Sequence, residues 1–391
     1  MKYNNNLVKI NYNNSFERLT DEVKKYKEKN KNANIISLSI GDVSLPITKP
    51  IIDKMKEAVE ELGDEKTFKG YGAHLGYDFL KRAILDNEYK NFNFDLEEIY
   101  ISSGTKSDVI NILELFDINS KICIFDPTYP IYINGSSILN RNISIIKGYP
   151  ENDFLPSIPK EKYDIIYMCS PNNPVGIMYP KTYLEKWIKY AKENNSIILY
   201  DNVYSNFIND SNKIKSIYEI EGAKEVAIEF RSFSKSISFS GVRCSYYIIP
   251  NNIDKNINKI WRKRVINRFN GACYIAQKGA LGVYDKEVQK LIDSNIKYYL
   301  DNAKYLKETF EKNGFKVWGG VDAPYLWVEI KEKTSSWEEF YFFLEQLNII
   351  IVPGIIFGEE GDNYFRISSL GKREDINKAL GRINDYYDKK I

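Results

Sequence analysis

The chain has a single histidine, His74, in 391 residues, and only four cysteines, Cys123, Cys169, Cys244 and Cys273, with no Cys-x-x-Cys pair among them. A zinc site needs clustered thiolate and imidazole ligands, and a histidine-based triad needs an imidazole beside its nucleophile, so neither chemistry fits and no metal site is expected. Each cysteine stands in or beside an apolar segment, which reads as a small buried thiol in a reducing compartment. An excess of one charge is missing too. The 55 Lys+Arg against 53 Asp+Glu leave little to attract nucleic acid or an anionic membrane, so neither is expected as a partner. No apolar run approaches the roughly 18 residues of a membrane span. The opening "MKYNNNLVKINYNN" lacks the apolar core of a signal peptide, and the expectation is a cytoplasmic protein.

What is present is the composition of a globular protein, 43% hydrophobic and 28% charged, long enough for one large or two ordinary domains. From residue 98 onward, short runs rich in Ile, Tyr and Val alternate with amphipathic stretches: "EIYIS", "KICIFD", "DIIYMCS", "SIILYD", "EVAIEF" and "CSYYIIP". These runs are apolar at successive positions, as in strands of a largely parallel sheet covered on both faces. The middle of the chain is therefore expected to be α/β. After residue 282 a long helical pattern leads into "YLWVEI", "IIIVPG" and "YFRISS" and a closing helix, a smaller α+β unit. A helix over roughly residues 15–30 is expected to pack with it. The expected division is a large domain over residues 45–281 and a small one from residues 1–44 and 282–391.

In open parallel sheets, ligands sit outside the carboxyl ends of the strands, and several ends here carry unusual residues. "EIYIS" runs into Ser103-Gly104-Thr105-Lys106 before a helix, a place where backbone N–H groups can meet an anion or where a side chain simply caps the helix. "KICIFD" ends in Asp126-Pro127-Thr128-Tyr129-Pro130, an aromatic ring pinned by two prolines. "DIIYMCS" ends in "SPNNPVG", a stiff turn holding Asn173. "SIILYD" ends in Asp201, with Tyr204 three residues on, an acid that is costly to bury unless a cation or a helix end receives it. "EVAIEF" is followed by Ser232, Ser234, Lys235 and Arg243. Taken singly, each has an ordinary structural explanation. One ligand accounts for all of them: pyridoxal phosphate needs a lysine amine, a carboxylate at its ring nitrogen, donors at its phenolic oxygen, a stacking ring and a phosphate cup.

The segments "IGDVSLP", "GYGAHLG", "SSGTKSD", "DPTYPIY", "CSPNNPVG", "YDNVY", "SFSKSISFSGVR", "FNGA", "APYLWVEI", "PGIIFG" and "FRISSLGKRE", in order over about residues 35–380, resemble the fold-type I pyridoxal-phosphate aminotransferases, and within them the LL-diaminopimelate subgroup. The resemblance implies a mostly parallel seven-stranded sheet between helices, plus the smaller α+β domain. It implies Lys235 as the lysine that binds the cofactor covalently, Asp201 as the partner of its ring nitrogen, and Asn173 and Tyr204 at its phenolic oxygen. Tyr129 would stack on the ring, and Ser103, Gly104, Thr105, Lys106, Ser232, Ser234 and Arg243 would hold the phosphate, joined by Tyr71 of a second subunit. Arg366, Asn173 and Gly41 would bind the substrate, with Asn270 and His74 beside them, in a homodimer with shared active sites. An amino group would move from a donor, glutamate by analogy, to an oxo acid or other carbonyl compound.

The departures fall on residues expected to read the substrate. His74 stands where the subgroup's "GYGAEQG" has a glutamate, Leu45 stands where "GDTTEP" has an acid, and Ile355 and Ile356 occupy a turn that is "PGSGFG" in the subgroup. Asn14 replaces a tyrosine near the N-terminus. Poor use of LL-diaminopimelate is the expectation. Decarboxylation or carbon–sulfur cleavage on the same cofactor, and a catalytically silent binding protein on the same fold, remain open as alternatives; a dinucleotide-binding protein does not, since no G-x-G-x-x-G follows an early strand.

Overall fold

The computed structural model describes residues 1–391 except 40, 209, 211–212, 333 and 389–391. Its central feature is a seven-stranded sheet in the order Ile99–Ser102, Ser245–Ile248, Ala227–Ser232, Ile197–Asp201, Ile165–Cys169, Lys121–Asp126, Asn142–Lys147. Only Ser245–Ile248 runs against its neighbours; the other pairings are parallel. The inner strands are buried along nearly their whole length, which explains runs with no polar alternation. Two separate apolar clusters flank the sheet, one centred on Trp187 and Phe239, the other on Trp261 and Ile124. The edge strand Asn142–Lys147 escapes the sequence reading because its residues are half exposed and bounded by Asn and Lys.

A second sheet has four strands in the order Val352–Pro353, Tyr364–Ser368, Tyr325–Glu329, Val317–Gly319, all antiparallel. The run "IIIVPG" is not one strand. Ile349–Ile350 pairs in parallel with Ile36–Ser37, while Val352–Pro353 joins the four-stranded sheet, so the chain changes sheets at Ile351. A third core, around Trp327, Phe343 and Phe365, lies here and takes in Leu19 of helix Phe16–Lys29.

The longest helix, Lys286–Lys312, starts at an Asp285 side chain that accepts from the Glu287 N–H (2.9 Å) and ends before Gly314 at φ +79°, the start and stop expected of a capped helix. Its buried residues Val288, Ile292, Ile296 and Tyr299 lie in the Trp187 core, whereas Ala303, Leu306 and Phe310 lie in the Trp327 core. Cys123, Cys169 and Cys244 are buried, but Cys273 is exposed. Cys273 departs from the expectation because it occupies the non-helical position just before helix Tyr274–Leu281. No helix among the described residues is long and apolar enough to cross a membrane.

Candidate active site

Parallel strands deliver their carboxyl ends to one edge of the sheet, and a cavity of about 380 Å³ opens there. Of the residues singled out in the sequence, Gly41, Thr105, Lys106, Tyr129, Asn173, Asp201, Tyr204, Ser232, Ser234, Lys235, Arg243 and Arg366 line it. The structure adds residues that the sequence reading did not single out, chiefly Phe16, Tyr132, Cys169 and Tyr325.

Asp201 ends its strand directly opposite Cys169 and Phe230. Its Oδ2 accepts from the Tyr132 hydroxyl at 2.5 Å, and its buried Oδ1 has no protein partner. Burial pushes its pKa up to about 6, against a downward pull from the Tyr132 hydroxyl and the Val203 N–H. A carboxylate left half-satisfied in a closed site is stabilised by a cationic N–H arriving from outside. Tyr132 is itself wedged in place by a stacked Tyr167 ring, 4.8 Å between centroids.

Lys235 lies in the loop after strand Ala227–Ser232; its amine donates to the Gly41 carbonyl and stands 3.9 Å from Asp42. Arg243 is held in the left-handed region, φ 68°, with its guanidinium against the backbone of Gly104. A Cβ at Gly104 would fall 1.8 Å from the Arg243 Nη2, so only glycine allows this approach. Beside it, the Thr105 hydroxyl is tied to the Arg231 carbonyl at 3.1 Å, and the Ser234 N–H is held by the Ser232 hydroxyl at 3.1 Å.

Arg366 is buried. Its Nη1 donates to Asn173 Oδ1 (2.8 Å) and its Nη2 to the Ser39 carbonyl (3.2 Å), while Nε has no partner. The guanidinium lies among Tyr325, Phe357 and Phe16 at 4.3, 4.8 and 5.9 Å from the ring centroids. Among the described residues no carboxylate comes within ion-pair distance of it, and desolvation lowers its pKa. A buried, unpaired guanidinium with a free donor edge suits a carboxylate brought by a ligand. Asn173 is free to meet it because the adjacent Asn172 closes the turn, its Oδ1 accepting from the Val175 N–H at 3.0 Å.

The remaining residues of the sequence reading do not line this cavity. Ser103, Gly104 and His74 line a neighbouring cavity of about 370 Å³ together with Asp108, Arg264 and Arg268. Tyr71 is exposed, and Asn270 is exposed on an adjoining loop; a Cβ on Gly271 would meet the Ala73 carbonyl at 2.4 Å. Leu45, Ile355 and Ile356 do not shape the first cavity in this protomer. Leu45 packs on the Trp187 core, with its N–H bonded to the Tyr299 hydroxyl, and the two isoleucines pack on the Trp327 core. It is Phe16, two residues past Asn14, that reaches the cavity.

Pyridoxal phosphate fits these residues on three counts: the unpartnered Oδ1 of Asp201, the Gly104–Arg243 cradle that a Cβ would fill, and an amine on the same cavity wall. The comparisons agree. The sequence profile described as Aminotransferase class I and II matches residues 33–383. An LL-diaminopimelate aminotransferase of Methanosphaera stadtmanae is 40% identical, covering 97% of each chain, and one of Prochlorococcus marinus is 40% identical over 98% of this chain and 99% of its own. The solved L,L-diaminopimelate aminotransferase from Chlamydomonas reinhardtii superposes with a TM-score of 0.93 at 36% identity, covering 99% of both chains. The Thermus thermophilus aspartate aminotransferase, 17% identical with a TM-score of 0.87, shares the fold. The chain belongs to the class I and II aminotransferases of fold type I, and is a pyridoxal-phosphate-dependent transaminase similar to the LL-diaminopimelate aminotransferases.

Proposed function

We propose that this transaminase binds the α-carboxylate of its substrates at Arg366, and that the far end of the preferred acceptor is neutral or anionic. The observation that carries this reading is the acid content of the cavity wall: among the described residues that line it, Asp201 is the one carboxylate, and this reading commits it to the ring nitrogen. Among the described lining residues a distal ammonium finds no further acid, and the nearby Asp42 stands 3.9 Å from the Lys235 amine. When bound, the cofactor supplies an electron sink for the pair left at the substrate Cα. Lys235 would hold it covalently and, once released, move a proton from Cα; Asp201 would keep the ring nitrogen protonated. Tyr204 and Asn173 would contact the phenolic oxygen, Tyr129 the ring face, and Thr105, Lys106, Ser232, Ser234 and Arg243 the phosphate, with Ser103 and Gly104 in the supporting turn.

A homodimer belongs to the same reading. Tyr71, Asn270 and His74 stand outside the cavity of their own protomer, on adjoining loops from which they can serve a partner's site. The division into domains at residues 45–281 and at 1–44 with 282–391 is likewise part of it, as is a cytoplasmic location, which suits the buried free thiols.

A second reading is transamination of LL-diaminopimelate itself, favoured by 40% identity to relatives of that name over nearly their whole length. Steady-state kinetics decide between the two. Glutamate should discharge the visible band of the lysine-bound cofactor, and a panel of oxo acids should restore it. The first reading expects kcat/KM for LL-diaminopimelate roughly ten- to a hundredfold below that of the best acceptor, and a gain for diaminopimelate in His74→Glu. Efficient wild-type turnover of diaminopimelate establishes the second. Release of carbon dioxide or a thiol in place of an oxo acid would overturn both.

A further inference from the structure

We infer that Tyr325 is a positioning residue that sets both the proton direction of Tyr204 and the plane of Arg366. It stands at the start of strand Tyr325–Glu329, whose Trp327 lies opposite Arg366 on strand Tyr364–Ser368. Side chains two residues apart on a strand share a face, so Tyr325 and Arg366 are diagonal neighbours on one side of the sheet. The geometry follows from that register. The Tyr325 ring centroid lies 4.3 Å from the Arg366 Cζ, and its hydroxyl stands 2.9 Å from the Tyr204 hydroxyl. An ideal Cβ on Gly41 would stand 3.6 Å from the same oxygen, so the hydroxyl is also walled by the backbone whose carbonyl takes the Lys235 amine. Tyr325 is 1% exposed and Tyr204 5%, leaving little room for solvent to substitute for either partner.

One of two hydroxyls at this distance donates to the other. If the Tyr325 proton goes to Tyr204, the proton of Tyr204 is left for an acceptor in the cavity, and hydrogen bonds in such a chain strengthen one another. The ring does a different job: a guanidinium lying over an aromatic face is attracted to it and kept from rotating. Phenylalanine would keep the second role and lose the first; leucine would lose both.

The inference rests on reading Tyr204 as a contact of the cofactor's phenolic oxygen and Arg366 as the carboxylate site. A hydroxyl donating to that oxygen competes with the proton on the Lys235 nitrogen, so a weaker donor lets the nitrogen keep its proton to higher pH. In loaded Tyr325→Phe, the pH midpoint of the visible band should therefore rise by about half a unit. Its kcat should fall about threefold to tenfold, while KM for a carboxylate donor stays within about twofold. In Tyr325→Leu, KM should rise as well, by roughly fivefold or more. Tyr204→Phe should raise the midpoint further, and Tyr204→Phe/Tyr325→Phe should add nothing to it.

A normal midpoint in Tyr325→Phe beside a shifted one in Tyr204→Phe overturns the inference and leaves the site reading standing. Additive shifts in the double variant overturn it in the same way. An unshifted Tyr204→Phe overturns both. These three variants remove only hydroxyls, so the test does not depend on the folding of Tyr325→Leu.

Discussion

Asp201 and Lys235 stand on one cavity wall, and each makes a separable prediction. Lys235→Ala should lose the visible band of bound cofactor and turnover together, because the covalent anchor and the Cα base are one group; a variant turning over at near-native rate would remove Lys235 from the chemistry. Asp201→Asn should still take up cofactor but lose several orders of magnitude in kcat, since an uncharged partner leaves the ring a poor electron sink. Unchanged kcat would contradict it. A third residue bears on stability. Asp108 accepts from the Ser102 and Ser245 hydroxyls at 2.5 and 3.1 Å, and burial still pushes its pKa up to about 7. Its folded pKa lies above its unfolded value, so the folded chain binds the extra proton. The cost of ionising it is fully present above about pH 7 and is relieved as the pH falls toward 4. Cofactor-free Asp108→Asn should thus melt higher than the parent at pH 8 and lose most of that advantage by pH 5. Parallel melting curves at the two pH values check it, and a constant offset would count against the assignment.

At the scale of elements, the turns matter most. Gly104 at φ +146° lets the Arg243 guanidinium lie on the backbone ahead of helix Thr105–Asn111. Gly104→Ala should weaken cofactor binding by about tenfold or more while the protein still folds, as read by equilibrium titration of the apoenzyme. Unaltered affinity would place the phosphate elsewhere. This turn was legible in the sequence, as were Asp201 and Lys235, because a charged or small residue closing an apolar run contradicts the run's own pattern. Tyr132 and Tyr325 were not. In a chain with 30 tyrosines, a ring near an apolar run reads as core, and nothing in one dimension says where its hydroxyl ends. The split of "IIIVPG" was hidden for a related reason: six apolar or turn residues look alike whether they serve one sheet or two, and the partner strands, Ile36–Ser37 and Tyr364–Ser368, lie far off in sequence or beyond a turn. Leu45, Ile355 and Ile356 misled the reading of the pocket because their place in a motif says which loop they occupy, not which side of it they face.

On the scale of the whole molecule, sharing of sites between protomers is directly testable. Lys235→Ala and Tyr71→Ala should each be nearly inactive. After the two are mixed and allowed to exchange subunits, about a quarter of native activity should return, since half the dimers are then mixed and each holds one intact site. No recovery, with exchange verified by sedimentation of tagged chains, would mean that Tyr71 does not serve the neighbouring site.

Helix Lys286–Lys312 has its own consequence. At 27 residues it is about 40 Å long, with its first half seated in the Trp187 core and its second in the Trp327 core. A chimera made by grafting residues 282–391 of a relative onto this chain would import Val288, Ile292, Ile296 and Tyr299 positions shaped for a foreign socket. A crossover near residue 302 would leave that socket with its own knobs. Recombination between members of the family should thus tolerate a junction in the middle of this helix better than one at its start, the reverse of the usual advice to join proteins in loops.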